Sequence, residues 1–119
     1  MPNYNIFVSS ALSTSETPST IIRYDSFALA QSDTVLWTPS SGKNIYLTSI
    51  QMSTLITQTV TLSGSNNGIF LVTRFNGTIA AISYSSNFFS PIKFDTNENI
   101  SITSNGVGTL DITLLGYEQ

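Results

Sequence analysis

The last part of the chain alternates between apolar and polar residues, and this pattern constrains the fold more than any other feature. Residues 98–103 read Glu-Asn-Ile-Ser-Ile-Thr, and residues 110–114 read Leu-Asp-Ile-Thr-Leu. A period of two places alternate side chains on opposite faces of a β-strand. Because Asn105-Gly106 and Gly108 supply turn residues between the two segments, the sequence predicts that the two strands form a hairpin.

Short strand-like segments also occur through the rest of the chain from residue 21. Turn residues separate them at intervals of roughly 8–12 residues, which is typical of a sandwich or barrel. No window has a convincing helical period, and residues 27–31 are at most one helical turn. The sequence therefore predicts an all-β fold of eight or nine short strands. The segments with strand character before the final pair are 21–30, 35–37, 44–53, 57–63, 69–72 and 78–84.

The segment 44–53 changes the parity of its apolar residues. Ile45 and Leu47 are two residues apart, and the next apolar pair, Ile50 and Met52, has the opposite parity. One extra residue in a strand produces such a change, so the sequence predicts a β-bulge near Thr48 and Ser49. Gly-rich residues 64–68 predict a hairpin turn, and polar residues 85–87 predict a loop.

Two clusters of large apolar residues predict contacts with other subunits. Residues 69–72 read Ile-Phe-Leu-Val and are apolar on both faces, so this strand is buried on both sides or lies at a subunit contact. Phe88 and Phe89 are adjacent, and adjacent strand residues face opposite sides. We therefore expect one of them in the domain core and the other at a subunit contact.

The first 20 residues differ in character from the rest. Residues 9–20 have low complexity and few apolar side chains, which favours an extended segment. The sequence predicts an N-terminal arm over residues 1–20 and a β-sandwich domain over residues 21–119. The arm begins with apolar residues that need a partner, and these are Tyr4, Ile6, Phe7 and Val8.

The low charge of the chain favours assembly and excludes several classes of partner. Only 9% of residues are charged, against roughly 25% in an average domain, and the net charge is −3. A neutral surface loses little hydration when a neighbouring copy covers it. The four basic residues are scattered, so no nucleic-acid partner is expected. No apolar run approaches the ~20 residues of a membrane span, and residues 1–8 lack the features of a signal peptide.

The residue inventory argues against catalysis. The chain has no His and no Cys, which removes the usual nucleophile–base pairs and the commonest metal ligands, so neither an enzyme nor a cofactor is expected. Asp95-Thr96-Asn97-Glu98-Asn99 is half of a calcium-loop pattern, but Ile100 stands where glycine is required, which favours a polar turn. Asp95 and Glu98 could act as a glycoside-hydrolase pair only if burial raised the pKa of one of the two carboxyl groups. A turn is normally exposed to water, so this burial is not expected.

Two further features leave alternatives open. Asn76-Gly77-Thr78 and Asn99-Ile100-Ser101 match the N-glycosylation pattern, although chance matches are expected in a chain rich in Asn, Ser and Thr. The aromatic residues include a set that either packs in the core and at contacts or forms a sugar-stacking platform. This set is Trp37, Tyr46, Tyr84, Phe88 and Phe89.

From Asp33 onward the predicted strands and turns follow a definite order. Trp37-Thr38-Pro39 ends one strand, a Gly42-Lys43 turn opens the next, residues 95–99 open a later one, and Gly116-Tyr117 ends the last strand. This order of motifs resembles small jelly-roll domains of phage and viral structural proteins, including capsid decoration and fibre proteins. The resemblance covers about three quarters of the chain and implies a jelly-roll sandwich that often trimerises. The arm has no counterpart in it.

Together these observations predict a virion structural protein, a capsid decoration or minor capsid protein that assembles in the host cytoplasm as a homo-oligomer, with a trimer favoured. Its expected partners are copies of itself and a major capsid or other virion protein. The alternative is a receptor- or carbohydrate-binding module of a viral fibre or tail. The predicted contact residues are Tyr4, Ile6, Phe7, Val8, Phe70, Val72, Phe88, Phe89, Leu115 and Tyr117.

Overall fold

The computed structural model describes residues 18–76 and 81–119, which form eight β-strands. These residues contain no helix, and therefore none long and apolar enough to cross a membrane. The predicted arm residues Tyr4, Ile6, Phe7 and Val8 lie outside the described residues. The strands are β1 (Ile21–Phe27), β2 (Gln31–Trp37), β3 (Ile45–Thr54), β4 (Gln58–Gly64), β5 (Gly68–Phe75), β6 (Ile82–Lys93), β7 (Ile100–Ser104) and β8 (Leu110–Glu118).

The strands form two antiparallel sheets of four strands each. The first sheet has the order β1-β8-β3-β6 and the second has the order β2-β7-β4-β5. Every connection except β4–β5 passes from one sheet to the other, which is the topology of a jelly-roll sandwich. The predicted fold class and strand number are confirmed, as is the hairpin at residues 64–68, which joins β4 to β5.

The predicted hairpin between the last two strands is wrong. β7 pairs with β2 and β4, whereas β8 pairs with β1 and β3 in the other sheet. The alternation in each segment correctly identifies its core-facing residues, because both strands bury their apolar side against the same core from opposite sheets. Alternation carries no information about which strand is the neighbour, so the turn at residues 105–109 crosses the sandwich instead.

The register of β3 confirms the predicted bulge. Leu47 pairs with Gly116 and Ser49 pairs with Leu115, so Thr48 is the extra residue between two successive positions of β8. The Thr48 hydroxyl donates a hydrogen bond to the Leu115 carbonyl at 3.0 Å, which holds the bulge in place. The predicted loop at residues 85–87 is wrong, because these residues continue β6 and pair with residues 49–51 of β3.

The core lies between the two sheets. Its side chains come from the alternating positions of the central strands, and fully burying each large apolar side chain contributes roughly 1.5–3 kcal/mol. The apolar side chains exposed by 1% or less are Trp37, Ile45, Leu47, Ile50, Val60, Leu62, Ile100, Ile102, Leu110, Ile112 and Leu114.

Candidate functional site

The outer face of the β1-β8-β3-β6 sheet, the side that points away from the core, carries an apolar patch at one end. Ile22 of β1 is 62% exposed and pairs in register with Leu115 of β8. Tyr46 and Tyr117 pair across β3 and β8, and their rings stack with centroids 4.9 Å apart. The ammonium group of Lys93 lies 5.8 Å from the Tyr46 centroid. We call Ile22, Leu115, Tyr46 and Tyr117 the apolar patch.

A wide bulge in β6 lies at the same level of this sheet. Asn87 pairs with Ser49 and Ile92 pairs with Leu47, so four residues of β6 stand opposite the single residue Thr48. Phe88, the first of the four, packs against the core, whereas Phe89 is fully exposed. The expected division of this pair between an inward and an outward residue is therefore what the structure contains. We call residues 88–91 the β6 bulge.

A groove lined mostly by polar residues, together with Met52, occupies the other end of the same face. Its volume is about 340 Å³ and it crosses all four strands. Tyr24, Thr113, Gln51 and Ser85 form one row in register from β1 to β6. The next row runs through Asp111, Ser53 and Ser83. The Tyr24 hydroxyl donates a hydrogen bond to Oδ1 of Asp111 at 3.0 Å.

A second depression adjoins the groove. Its volume is about 230 Å³, and it shares Ser53 and Asp111 with the first. Leu55, which is exposed, and Ala81 line its far side. The two depressions therefore lie side by side, with Ser53 and Asp111 between them.

The remaining described contact residues lie on the second sheet. Phe70 of the edge strand β5 is half-buried, and its ring meets the Phe94 ring edge-on at 5.2 Å. Val72 is exposed and pairs with Thr61. The structure therefore groups Leu115, Tyr117 and the β6 bulge on the first sheet and separates them from Phe70 and Val72.

Sequence reasoning did not identify Ile22, Tyr24 or Asp111 as members of a surface site. The residues of β1 alternate, with Ile21 and Phe27 packed against the core and Ile22 and Tyr24 exposed. Both sets contain large apolar side chains, so the sequence pattern alone did not indicate which set faces outward.

Glu98 joins two loops at one end of the sandwich. Its side chain is completely buried. Oε2 accepts hydrogen bonds from the backbone N–H groups of Asn66 and Asn67, at 2.9 and 2.7 Å. Oε1 accepts from the Asp95 backbone N–H at 2.7 Å and from the Asn67 side-chain amide at 2.8 Å. The β4–β5 turn and the β6–β7 loop are thus connected through one carboxylate.

These hydrogen bonds decide the ionisation of Glu98. Burial raises the pKa of this carboxyl group, but the bonds from Asp95, Asn67 and Asn66 outweigh it, so the pKa lies below its ordinary value. A general acid for glycoside hydrolysis needs the opposite shift. The expectation of a wet turn is wrong for Glu98, although Asp95 is exposed.

The calcium alternative for residues 95–99 has no support in this geometry. Both oxygens of Glu98 already accept two hydrogen bonds each from the protein. Asn97 adopts a positive φ of 64°, and its side-chain oxygen accepts a bond from the Gly42 N–H at 2.7 Å. Within residues 18–76 and 81–119 no three acidic residues are grouped as metal ligands. The segment is a polar turn, as the sequence favoured.

Trp37 cannot belong to a sugar-stacking platform, because only 1% of its surface is exposed. Its indole N–H donates a hydrogen bond to Oε2 of Glu118 at 2.8 Å, and the Arg23 guanidinium lies 5.6 Å from the ring centroid. Burial raises the pKa of Glu118, but the hydrogen bonds from Trp37 and Ser40 and the charge of Arg23 lower it by more. The pKa therefore lies below its ordinary value. The buried Trp37 therefore connects the core to the end of β8 through a hydrogen bond.

The two possible glycosylation sites differ in their surroundings. Asn76 is exposed at the end of β5, and the other two residues of its motif lie outside the described part of the chain. Asn99 is half-buried; its backbone N–H donates to the Ser65 hydroxyl, and its carbonyl accepts from the Ser65 N–H, both at 3.0 Å. Glycosylation at either position stays a prediction.

Comparison with known proteins supports the fold at the level of architecture. No protein-family model and no curated protein matches the sequence. A chain of the acidic stable capsid of Helicobacter pylori bacteriophage KHP30 superposes with a TM-score of 0.58 at 9% identity, covering 85% of this chain and 90% of the other. The globular domain of the zebrafish complement 1qA protein gives a TM-score of 0.53 at 9% identity, covering 83% and 95%.

A more distant likeness is to a chain of the virus-like particle of the extra small virus of the giant freshwater prawn Macrobrachium rosenbergii. Its TM-score is 0.38 at 14% identity, covering 87% of this chain and 80% of the other. At such low identities the first two structures establish a shared sandwich fold. The predicted resemblance to viral jelly-roll proteins is therefore supported for the fold.

Proposed function

We propose that this chain is a structural protein of a virus particle and assembles as a homo-oligomer, in the form of a trimeric capsid decoration or minor capsid protein. The fold shared with a chain of a phage capsid supports a structural role. The resemblance seen in the sequence favours the trimer. In this proposal the second partner is the major capsid protein or another virion protein.

The observation that carries the proposal is the position of Phe89. This side chain is fully exposed at the β6 bulge, level with the exposed Ile22 and with Leu115. A large apolar side chain at a projecting bulge gains roughly 1.5–3 kcal/mol when a neighbour covers it. The apolar patch beside it would add to the buried area of the same contact.

The surroundings of Phe89 favour association between copies. Most residues on this outer face are Ser, Thr, Gln, Asn and Tyr, which are neutral at physiological pH. Covering neutral side chains costs less than covering charged ones, because fewer ions lose their hydration. The same contact in three symmetry-related copies would bury three Phe89 side chains in a closed assembly.

The test is the molar mass of the full chain in solution, measured by light scattering over a range of concentrations. The proposal expects a mass near three times the 12.9 kDa of one chain. Phe89→Ser should weaken association by about tenfold or more, since each 1.4 kcal/mol is a factor of ten. Val107→Ser is the matched control, because Val107 is also exposed but lies in the turn between β7 and β8.

Two results would contradict the proposal. One is a monomer at about 0.1 mM, a concentration at which a Kd of ~10 μM would leave most chains assembled. The other is an equal loss of association in the Phe89→Ser and Val107→Ser variants. An equal loss would mean that the effect reflects general apolar adhesion and that the β6 bulge is not the contact.

The groove on the same sheet favours a second candidate, a receptor- or carbohydrate-binding module of a viral fibre or tail. Tyr24 is 61% exposed at its edge, and the rest of the lining combines hydroxyl and amide side chains with Asp111 and Met52. The groove and the apolar patch occupy different ends of the outer face. One molecule is therefore able to assemble through the patch and bind a ligand in the groove.

A further inference from the structure

We propose that the groove beside Tyr24 binds a neutral saccharide of at least two sugar units. The proposal deepens the second candidate function by naming the ligand and the residues that hold it. It does not depend on virion assembly, because none of the groove residues belongs to the apolar patch or the β6 bulge.

Tyr24 supplies the apolar part of the site. Most of its ring is exposed at the edge of the groove, although a tyrosine commonly buries its ring. The bond from its hydroxyl to Asp111 holds the side chain beside the depression. A flat aromatic ring fixed in this way offers a surface for the C–H face of a sugar ring.

The polar residues supply the hydrogen bonds that a sugar requires. Each sugar hydroxyl both donates and accepts, and so do the hydroxyls of Ser53, Ser83 and Ser85 and the amide of Gln51. Oδ1 of Asp111 accepts the hydrogen bond from Tyr24, and Oδ2 can accept a charge-assisted hydrogen bond from a sugar hydroxyl.

The dimensions fit a short oligosaccharide. Neighbouring strands are about 4.8 Å apart, so the row from Tyr24 on β1 to Ser85 on β6 spans roughly 14 Å across three strand spacings. The groove volume of 340 Å³ lies within the ~300–1,000 Å³ range of small-molecule sites. The adjoining depression shares Ser53 and Asp111 with the groove, so a further sugar unit would have room beside Leu55.

The charge of the lining selects a neutral ligand. Among the described residues that line the two depressions, Asp111 is the only one with a charged side chain, and it is an acid. Sialylated or sulfated sugars would place an anion beside this carboxylate without a cation to balance it. A neutral saccharide can form hydrogen bonds with this lining through its hydroxyl groups and is not repelled by the Asp111 carboxylate.

The test is an NMR titration of the isotopically labelled full chain with lactose, maltose, cellobiose and N,N′-diacetylchitobiose, with 3′-sialyllactose as the anionic comparison. At least one neutral disaccharide should give saturable shifts at Tyr24, Gln51, Ser85 and Asp111, with a Kd between about 0.1 and 10 mM. The affinity for 3′-sialyllactose should be at least fivefold weaker than that of the best neutral ligand.

Variants locate the binding. Tyr24→Ala removes the ring and should weaken the best ligand at least tenfold, whereas Tyr24→Phe keeps the ring and should lose less than Tyr24→Ala. Asp111→Asn should also weaken the binding of this disaccharide. Val35→Ala is the control, because Val35 is exposed on the outer face of the other sheet, and its Kd should be unchanged. The spectra report at the same time whether each variant is folded.

The proposal would be overturned if none of the four neutral disaccharides gave saturable shifts at about 50 mM, well above a millimolar Kd. It would also be overturned if Tyr24→Ala bound as tightly as the original chain, or if 3′-sialyllactose bound best. The molar mass of the same samples is measured separately. A failure of sugar binding with intact association would leave the structural role standing.

Discussion

Replacing Glu98 by Gln is expected to lower the free energy of unfolding by about 2–4 kcal/mol at pH 7. The substitution keeps the size and shape of the side chain and removes its charge. Glu98 is completely buried and accepts four hydrogen bonds from two different loops. The change therefore tests whether this carboxylate holds the β4–β5 turn and the β6–β7 loop together.

The expected magnitude follows from the four donors. A glutamine has one carbonyl oxygen, which can accept from two of the four donors, while its NH₂ group faces the other two. The exposed Asn67 amide can turn toward water, but a part-buried backbone donor such as the Asp95 N–H is left without an acceptor, which costs about 1–3 kcal/mol. The two retained bonds also weaken by about 1 kcal/mol each when the acceptor is neutral. The desolvation penalty of the lost charge offsets part of this sum.

The pH dependence gives a second, independent measure. The pKa of Glu98 is lowered in the folded chain, so ionised Glu98 contributes stability that is fully present above the unfolded pKa of about 4.3. This contribution is lost as the pH falls through the lower, folded pKa. Glu98→Gln has no such proton to bind, so the stability difference between the two proteins should narrow below about pH 4.

The assay is urea unfolding at fixed protein concentration, from pH 7 down to pH 3, with Asp95→Asn as the matched control. Fixed concentration is needed because association would add its own stability. Asp95 is an exposed acid in the same loop, and its substitution should change stability by less than about 0.5 kcal/mol. A loss below about 1 kcal/mol for Glu98→Gln, or a difference that stays constant with pH, would refute the reasoning.

Two further substitutions test the packing of β8. Gly116→Ala would place a Cβ on the carbonyl oxygen of Tyr46 in the paired strand, so we expect the free energy of unfolding to fall by at least about 3 kcal/mol, or the chain to fail to fold, in a thermal unfolding assay. Gly68→Ala is the comparison: its surroundings are open, and only the strain of its positive φ of 83° should cost about 1 kcal/mol. Trp37→Phe removes the donor to Glu118 and should cost about 2–3 kcal/mol in urea unfolding, and an unchanged midpoint would show that this bond adds no stability.

The sandwich and its core-facing residues were predictable because alternation is a local property. The parity change in residues 45–52 located the Thr48 bulge, since one extra residue must reverse which side chains face the core. Pairing between strands was less predictable. β7 and β8 are adjacent in sequence and equally amphipathic, yet they lie in different sheets, because only the whole topology determines the neighbours of a strand.

The strand at residues 85–87 was missed because its composition is that of a loop. Ser85 lies on the exposed outer face of an edge strand, and such a position accepts a small polar residue as well as an apolar one. Tyr84 and Ile82 on the inner side pack against the core and maintain the strand. Phe88 continues the same period of two, so the only interruption on the inner side of residues 82–88 is the polar Ser86.

The burial of Glu98 and Trp37 could not be read from the sequence. Each depends on partners far along the chain, Asn66 and Asn67 for the first and Glu118 for the second. The groove was missed for a similar reason. Its two central residues, Tyr24 and Asp111, are 87 positions apart and meet only because β1 pairs with β8.

The β6 bulge has a consequence for how this domain tolerates changes in chain length. The pairs on its two sides, Asn87 with Ser49 and Ile92 with Leu47, are both fixed by β3, while residues 88–91 have no partner in register on that strand. Residues added or removed after the core-packed Phe88 would leave both halves of the ladder aligned. The length of β6 can therefore change in this short stretch without a shift in register, but such a change would also displace Phe89 from its proposed contact.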